Sequence, residues 1–142
     1  MNWRQRIAAI LVVAFSMIGC NIPIERFEDV ELSGKLQNIE AGVPFRLDTM
    51  CQKDCDMLYV VNPYAYSRMD SCSFHIPVNV RKHLEAMDMF DSRCTLLFFS
   101  EERFVCYSDI RYETAIFSYL EENSFPIAQE FYMDSLRVVR KR

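Results

Sequence analysis

Two runs of consecutive apolar residues are the strongest strand signals in the chain. Residues 57–61, Met-Leu-Tyr-Val-Val, form an unbroken β-favouring run that stops at Asn62-Pro63. Such a run is typical of a strand that is covered on both faces. Cys94–Phe99 is a second run of this kind, and the polar residues 100–103 separate it from Phe104–Tyr107. This spacing predicts a β-hairpin.

The segments before the first run give weaker patterns. Apolar residues from Ile24 to Leu32 are spaced loosely like one helix face, and Gly34 would end that helix. A strand over Asp29–Leu36 is the competing interpretation. Residues 41–44 contain Gly and Pro and predict a turn, and the alternation in Phe45–Asp48 predicts a half-buried strand.

Periodicity of three and four residues predicts two helices in the second half of the chain. Val80, Leu84 and Met87 repeat on one face after Pro77, and Asn79 is a suitable N-cap. A second helix is predicted from Ser108 or Asp109 to Asn123 or Ser124. Its apolar face would hold Tyr112, Ile116, Tyr119 and Leu120.

The last segment reads as a short helix or an extended strand over residues 131–139. Its basic end, Arg137 with residues 140–142, could contact acidic lipid head groups, but we expect it to be solvated and frayed. Strands followed by helices predict an α+β fold with one small, mostly antiparallel sheet and two or three packed helices.

The first twenty residues carry the most specific pattern. Arg4 and Arg6 precede the mostly apolar run Ile7–Ile18, as in the basic and hydrophobic regions of a secretory signal. The run ends in Ser16-Met17-Ile18-Gly19-Cys20, which resembles the lipobox of bacterial lipoproteins. That resemblance implies cleavage before Cys20, diacylation of its sulfur and anchoring of the mature chain in a membrane.

Alternatives for this segment are an uncleaved anchor helix, a plain secretion signal and a hydrophobic start to a cytosolic domain. A membrane span needs about 20 apolar residues, and the run here is shorter and is followed at once by polar residues. We therefore expect a signal peptide over residues 1–19, a lipidated tether over 20–24 and one globular domain over 25–142. Asn21-Ile22 lacks the aspartate associated with inner-membrane retention, which slightly favours the outer membrane.

The charge of the chain bears on its partners. Removal of the signal would keep all 20 acidic residues and lose two of the 16 basic ones, changing the net charge from −4 to −6. A protein that binds nucleic acid needs a basic face, so we expect no nucleic acid partner. We expect the membrane to be one partner, through acyl chains on Cys20, and an envelope protein to be another.

The cysteines agree with export to an oxidising compartment. The candidates for disulfides after Cys20 are Cys51, Cys55, Cys72, Cys94 and Cys106. Five is an odd number, so at least one thiol has no intramolecular partner, and spacing does not decide the pairing. Buried free cysteines that act as small apolar residues are the alternative.

The sequence contains no strong catalytic or metal-binding motif. His75 and His83 are eight positions apart, which does not suit two ligands on one helix face, and we expect His83 to be an exposed helical residue. Cys51-x-x-x-Cys55 lacks a second matching pair, and the flanking Asp54 and Asp56 would disfavour a thiolate. We therefore expect no metal, no cofactor and no enzymatic activity.

A cluster of aromatic residues follows the first apolar run. Tyr59, Pro63, Tyr64 and Tyr66 would lie at a sheet edge, where they could form a surface for a protein partner or close the end of the core. Together with the lipobox, this string resembles small enterobacterial lipoproteins, some carried by cryptic prophages. The resemblance implies an envelope location, and an envelope stress response when such a protein is overproduced.

Three functions are compatible with these features. A non-catalytic interaction or accessory lipoprotein on the periplasmic side of a membrane is favoured, because an anchor is present and a site is not. A periplasmic immunity protein or inhibitor, with an acidic surface that attracts a basic toxin or enzyme, is the alternative. A small enzyme that uses Cys55 or His83 would need a pocket that joins these two residues.

Overall fold

A computed structural model of the chain describes residues 22–69 and 75–142. The predicted signal with Cys20, and residues 70–74 with Cys72, lie outside the described residues. The described residues form two α-helices, α1 (Glu31–Gln37) and α2 (Val78–Met87). Their seven strands are β1 (Phe45–Arg46), β2 (Met57–Val61), β3 (Arg93–Ser100), β4 (Arg103–Arg111), β5 (Ser124–Pro126), β6 (Glu130–Met133) and β7 (Val139–Lys141).

The larger sheet has four strands in the order β4-β3-β2-β5, and all neighbours are antiparallel. The two predicted apolar runs are its central strands, and they pair from Met57–Phe99 to Val61–Thr95. The residues of β3 from Cys94 to Phe99 are all buried, because a central strand covered on both faces needs no polar side. The predictions of β2 and of the β3–β4 hairpin are confirmed.

The smaller sheet has three antiparallel strands in the order β1-β6-β7. Phe45 pairs with Phe131 and Met133 pairs with Val139, and all four side chains are buried. This sheet therefore turns one face to the core. The predicted α+β class with antiparallel strands is confirmed, but the strands are divided between two sheets instead of one.

The larger sheet lies between two hydrophobic clusters. Side chains alternate along β3: Leu97 and Phe99 contact the cluster that includes α2, whereas Leu96 and Phe98 contact the cluster that includes α1 and the smaller sheet. We call these two sides the α2 face and the α1 face of the larger sheet. Within residues 22–69 and 75–142, no helix has the length and apolar character that are needed to span a bilayer.

One β-bulge interrupts the β3–β4 ladder. Phe98 pairs with Cys106 and Phe99 pairs with Phe104, which leaves Val105 as an extra residue on β4. Val105 and Cys106 consequently both pack on the α1 face, while Phe104 contacts the α2 face. The bulge thus determines which face receives the Cys106 thiol.

The helix predicted over Ile24–Leu32 is wrong, and so is the competing strand. Only a single 3-10 turn forms at Ile24–Arg26, and Gly34 lies inside α1 instead of ending a helix. The side chain of Asp29 accepts hydrogen bonds from the amides of Glu31 and Leu32 at 3.2 Å each. Because this carboxylate caps the amide groups of the first turn, α1 begins after Asp29.

The second predicted helix is also wrong. β4 continues through Ser108 and Asp109 to Arg111, and residues 112–123 contain no helix or strand. Pairing with β3 along its whole length outweighs the local helical spacing of Tyr112 and Ile116. Ile116 instead forms a parallel bridge with Val138, next to β7.

Smaller differences occur at the ends of the other elements. The strand predicted over Phe45–Asp48 stops after Arg46, where a 3-10 turn begins. α2 begins at Val78, one residue before the predicted cap Asn79. The last segment adopts the extended alternative, and its basic end is part of β7 instead of a frayed terminus.

Candidate functional site: a thiol cluster on the α1 face

All four cysteines that the structure describes pack on the α1 face of the larger sheet, and three of them lie near one another. Cys106 is buried on β4, whereas Cys51 and Cys55 are half-buried in the loop between β1 and β2. The three thiols lie close enough to influence one another electrostatically, and Cys55 Sγ donates a hydrogen bond to the Lys53 carbonyl oxygen at 3.4 Å. We call these three side chains the thiol cluster.

The loop that carries Cys51 and Cys55 is anchored at several points. Lys35 Nζ donates a hydrogen bond to the Met50 carbonyl oxygen at 2.7 Å. The amide of Gln52 donates to Asp29 Oδ2 at 3.3 Å. At the end of the loop, the amide of Asp56 donates to a β3 carbonyl oxygen at 2.9 Å. These bonds hold the loop against α1 and the larger sheet.

Asp29 is a buried carboxylate beside the thiol cluster. Besides capping α1 and binding the loop, it joins β4 through its backbone. Its amide donates to the Tyr107 carbonyl oxygen at 2.8 Å, and the Ser108 hydroxyl donates to its carbonyl oxygen at 2.9 Å. One residue therefore connects the three elements that surround the thiols.

The interaction between Cys55 and Cys106 makes the two thiols unequal. It is the main cause that lowers the pKa of Cys55, although burial and the carboxylates of Asp56 and Asp54 act in the opposite direction. The same interaction, together with burial, raises the pKa of Cys106. The acidic neighbours of Cys55 disfavour its thiolate as expected, but the larger effect comes from Cys106 on another strand.

The other described thiols are poor nucleophiles. Burial is the main cause that raises the pKa of Cys51 to about 12, and the nearby Cys55 and Asp29 add to it. Burial also raises the pKa of Cys94 to about 12. Cys94 lies on β3 beyond this cluster, and it accepts a hydrogen bond from the backbone of Phe117. Across the described parts of the chain, no three His, Cys, Asp or Glu side chains are arranged to hold a metal ion.

A second polar group lies on the α2 face. His83 Nε2 and Asp109 Oδ2 are 2.7 Å apart, and the Thr95 hydroxyl donates to Asp109 Oδ1 at 2.6 Å. The His83 ring also stacks against Tyr107, with 4.9 Å between ring centroids. The hydrogen bond with Asp109 raises the pKa of His83 against the opposing effect of burial.

His83 is therefore not the exposed helical residue that we expected, since only 21% of its side chain is accessible. Asp109 lies in the part of β4 for which the sequence predicts a helix. The spacing of residues along the chain therefore did not indicate that His83 and Asp109 are in contact. Thr95 donates its proton to the carboxylate and not to the imidazole, so the group is not arranged as an activated hydroxyl. The thiol cluster lies on the opposite face of the sheet, which separates Cys55 from His83.

The residues of the predicted partner surface differ in how far they are exposed to solvent. Tyr59 and Tyr66 pack against the α2 cluster, and Pro63 is half-buried. The Tyr64 side chain is 56% exposed, and its amide donates to the Asp88 carbonyl oxygen at 3.0 Å. The exposed side chains of Met89 and Phe90 follow Asp88 directly. We call Tyr64, Met89 and Phe90 the aromatic patch.

No family model matches the chain, and no match to it is found among the curated proteins or the solved structures.

Proposed function

We propose that this protein is a membrane-anchored envelope lipoprotein of a non-catalytic, interaction or accessory type. The pattern over Met1–Cys20 is the observation that carries the proposal, because a basic start, a short apolar run and a lipobox-like end occur together. Each buried methylene of an acyl chain contributes about 0.8 kcal/mol to membrane binding. Two or three chains on Cys20 would therefore hold the protein at the bilayer.

A contact of Ile22, the first residue that the structure describes, supports a defined orientation of the domain at the bilayer surface. Asn79 Nδ2 donates to the Ile22 carbonyl oxygen at 2.8 Å, which fastens the start of the domain to the first turn of α2. A lipid on Cys20 would be attached two residues before Ile22, and two residues of extended chain span about 7 Å. In this proposal the exposed side chains of Ile22 and Val78 face the bilayer.

Palmitate labelling of the wild-type chain and of the Cys20→Ala variant tests the anchor. We expect label in the wild type and in a Cys51→Ser control, and none in Cys20→Ala. Separation of inner and outer membranes then locates the labelled protein, and we expect it in the outer membrane. Unlabelled wild-type protein that keeps Met1 and remains in the cytoplasm would overturn the proposal.

A link to envelope stress belongs to the same proposal, because a tethered protein that is made in excess loads the export and sorting machinery. Overproduction of the wild type is expected to induce an envelope stress reporter. The Cys20→Ala variant at equal abundance is expected to leave the reporter at its basal level. Equal induction by both variants would separate the stress response from the anchor.

The second candidate is an immunity protein or inhibitor, and the aromatic patch favours it. The exposed residues Met89 and Phe90 follow Asp88 in the sequence, and the amide of exposed Tyr64 donates to the Asp88 carbonyl oxygen. Glu85 and Asp91 are exposed acids close in sequence, while the Arg93 guanidinium lies 5.0 Å from the centre of the Phe90 ring. An apolar centre with acidic neighbours suits a basic partner protein.

Met89→Ser and Phe90→Ser together should abolish binding of such a partner, and Leu136→Ser, at another exposed apolar position, is the control. The bound partner should be basic and should be released by salt. Equal binding by both variants would remove the aromatic patch from this candidate function.

A further inference from the structure

Two basic side chains of α2 lie on its exposed surface, beside the start of the described chain. Val78, Arg81 and Lys82 are all exposed, and residues three or four positions apart are neighbours on a helix surface. Lys82 is four positions after Val78 and three after Asn79, whose Nδ2 donates to the Ile22 carbonyl oxygen at 2.8 Å. We call Val78, Arg81 and Lys82 the basic patch.

We propose that the basic patch binds the anionic head groups of the bilayer in which the chain is anchored. This inference rests on the proposed function, because it takes the membrane as the partner, and it adds the surface and the class of lipid. The position of the chain start is the first argument. Cleavage with lipidation of Cys20, and retention of the apolar run Ile7–Ile18 as an anchor, would both bring the bilayer within a few residues of Ile22.

The charge of the basic patch is the second argument. Neither Arg81 nor Lys82 forms an ion pair with another residue in the described parts of the chain. Glu85, the acid on the same side of α2, lies one turn further along the helix, and the exposed Glu25 and Arg26 offset each other. The chain as a whole has a net charge of −4, so an anionic surface repels it except where unpaired cations are presented.

The basic end of the chain is the other candidate for head-group contacts, and its charges have partners within the protein. The nitrogen-to-oxygen distances of its ion pairs are 3.6 Å for Arg140–Asp134, 3.5 Å for Lys141–Glu122 and 2.6 Å for Arg142–Glu130. The Arg137 guanidinium donates to three backbone carbonyl oxygens. Binding of lipid by this end would replace contacts that exist, whereas the basic patch gives up no ion pair.

Membrane electrostatics sets the expected size of the effect. Each Lys or Arg near an anionic membrane surface strengthens binding about fivefold. The two cations together therefore favour the orientation with the basic patch on the head groups by about 25-fold. The attraction falls off within a Debye length, so concentrated salt should remove it.

The test is acetylation of lysines in the wild-type protein extracted from membranes and reconstituted into vesicles. One set of vesicles contains phosphatidylcholine alone, and the other contains equal parts of phosphatidylcholine and phosphatidylglycerol. Acetic anhydride, an uncharged reagent, labels exposed amines, and mass spectrometry gives the rate at each lysine. We expect Lys82 to react at least about fivefold more slowly in the anionic vesicles. Salt at about 1 M should restore its rate.

Lys53 is the internal control for this measurement. It is exposed in the loop between β1 and β2, which packs on the α1 face of the larger sheet and so on the side away from α2. Its rate of acetylation should be the same in both sets of vesicles.

A charge reversal next to Lys82 keeps this lysine as the reporter. Arg81→Glu should remove most of the protection of Lys82, because a carboxylate then replaces one of the two cations. Arg46→Glu is the matched control, since Arg46 is exposed on β1 of the smaller sheet. Reversal of its charge should leave Lys82 protected.

Three results would overturn the inference. These are equal acetylation of Lys82 in the two sets of vesicles, protection of Lys141 in place of Lys82, and protection of Lys82 that Arg81→Glu leaves unchanged. In each of them the protein still floats with the vesicles, so the proposed anchor stands. Wild-type protein that floats with neither set of vesicles would count against the proposed function itself.

Discussion

Arg137 Nη2 donates a hydrogen bond to the Leu36 carbonyl oxygen at 2.7 Å, and thereby joins the turn before β7 to the C-terminal end of α1. The same guanidinium donates to the carbonyl oxygens of Ile39 at 2.5 Å and Thr114 at 2.8 Å. The last carbonyl groups of a helix lack partners within it, and a cation is favourable there. Arg137 therefore connects α1, residues 112–123 and β7.

Replacement of Arg137 should destabilise the protein. Arg137→Ala removes three hydrogen bonds from backbone acceptors, and we expect a loss of about 2–3 kcal/mol in the free energy of unfolding. Arg137→Lys should recover only part of this, because one ammonium group does not reproduce the geometry of the guanidinium. Urea unfolding measures both.

Arg111→Ala is the matched control for Arg137. Arg111 is largely exposed and lies 3.5 Å from Glu113, and a surface ion pair of this kind contributes little. We expect a change of less than about 0.5 kcal/mol. Equal effects at Arg111 and Arg137 would show that the three backbone contacts are not what stabilises the fold.

Replacement of Gly34 and of Gly42 by alanine should change the stability of the protein in opposite directions. Gly34 lies inside α1, and an added Cβ would meet no atom within 4 Å. Gly34→Ala should stabilise the protein by about 0.5–1 kcal/mol. Gly42 has a φ of +80°, which L-residues rarely adopt, so Gly42→Ala should destabilise it by about 1 kcal/mol. Thermal unfolding of both variants checks the pair, and a shift in the same direction would contradict this account.

The contact between His83 and Asp109 should make stability depend on pH. The pKa of His83 is raised in the folded state, chiefly by Asp109, with Glu28 raising and Arg93 lowering it. The stabilisation is therefore full below the unfolded pKa of about 6.5 and is lost as the pH rises through the folded pKa. The stability difference between wild type and His83→Gln should be largest below about pH 6 and should shrink as the pH rises through the folded pKa.

Urea unfolding at several pH values measures this difference. His75→Gln, at an exposed position, controls for the loss of a histidine and should leave the pH profile of the wild type unchanged. A stability difference that grows as the pH rises would contradict the role assigned to Asp109.

Cys94 should be protected from alkylation in the folded protein. Its complete burial raises the pKa of the thiol to about 12, and only the thiolate reacts readily. Iodoacetamide at about pH 8 should modify reduced Cys55 first and should leave Cys94 unmodified. Mass spectrometry before and after addition of guanidinium chloride should show that unfolding makes Cys94 reactive. Modification of Cys94 at the rate of Cys55 in the folded state would be inconsistent with this burial.

The sequence was sufficient to predict a strand or helix where one pattern of apolar residues extended over the whole element. The apolar runs that became β2 and β3 have no polar face, and this itself indicates a strand covered on both sides. The spacing of Val80 and Leu84 likewise identified α2, whose buried side chains are these two. These elements could be predicted because the polarity of neighbouring residues matches the burial of their side chains.

Other elements depended on partners that are distant along the chain. Residues 108–111 have helical spacing, yet they extend β4 because β3 offers a continuous set of hydrogen bonds. The start of α1 depends on the Asp29 side chain, and the grouping of Cys51, Cys55 and Cys106 on the α1 face depends on a bulge and on an anchored loop. None of these features can be recognised from the residues next to it in the sequence.

The residues alone therefore established the α+β class, the central strands and α2, since each of these rests on the polarity of neighbouring side chains. Only the tertiary structure decided which thiols meet, which carboxylate receives His83 and which strand replaces a helix. The physical reason is that hydrogen bonds and electrostatic effects act over a few ångströms in space, whatever number of residues separates the partners along the chain.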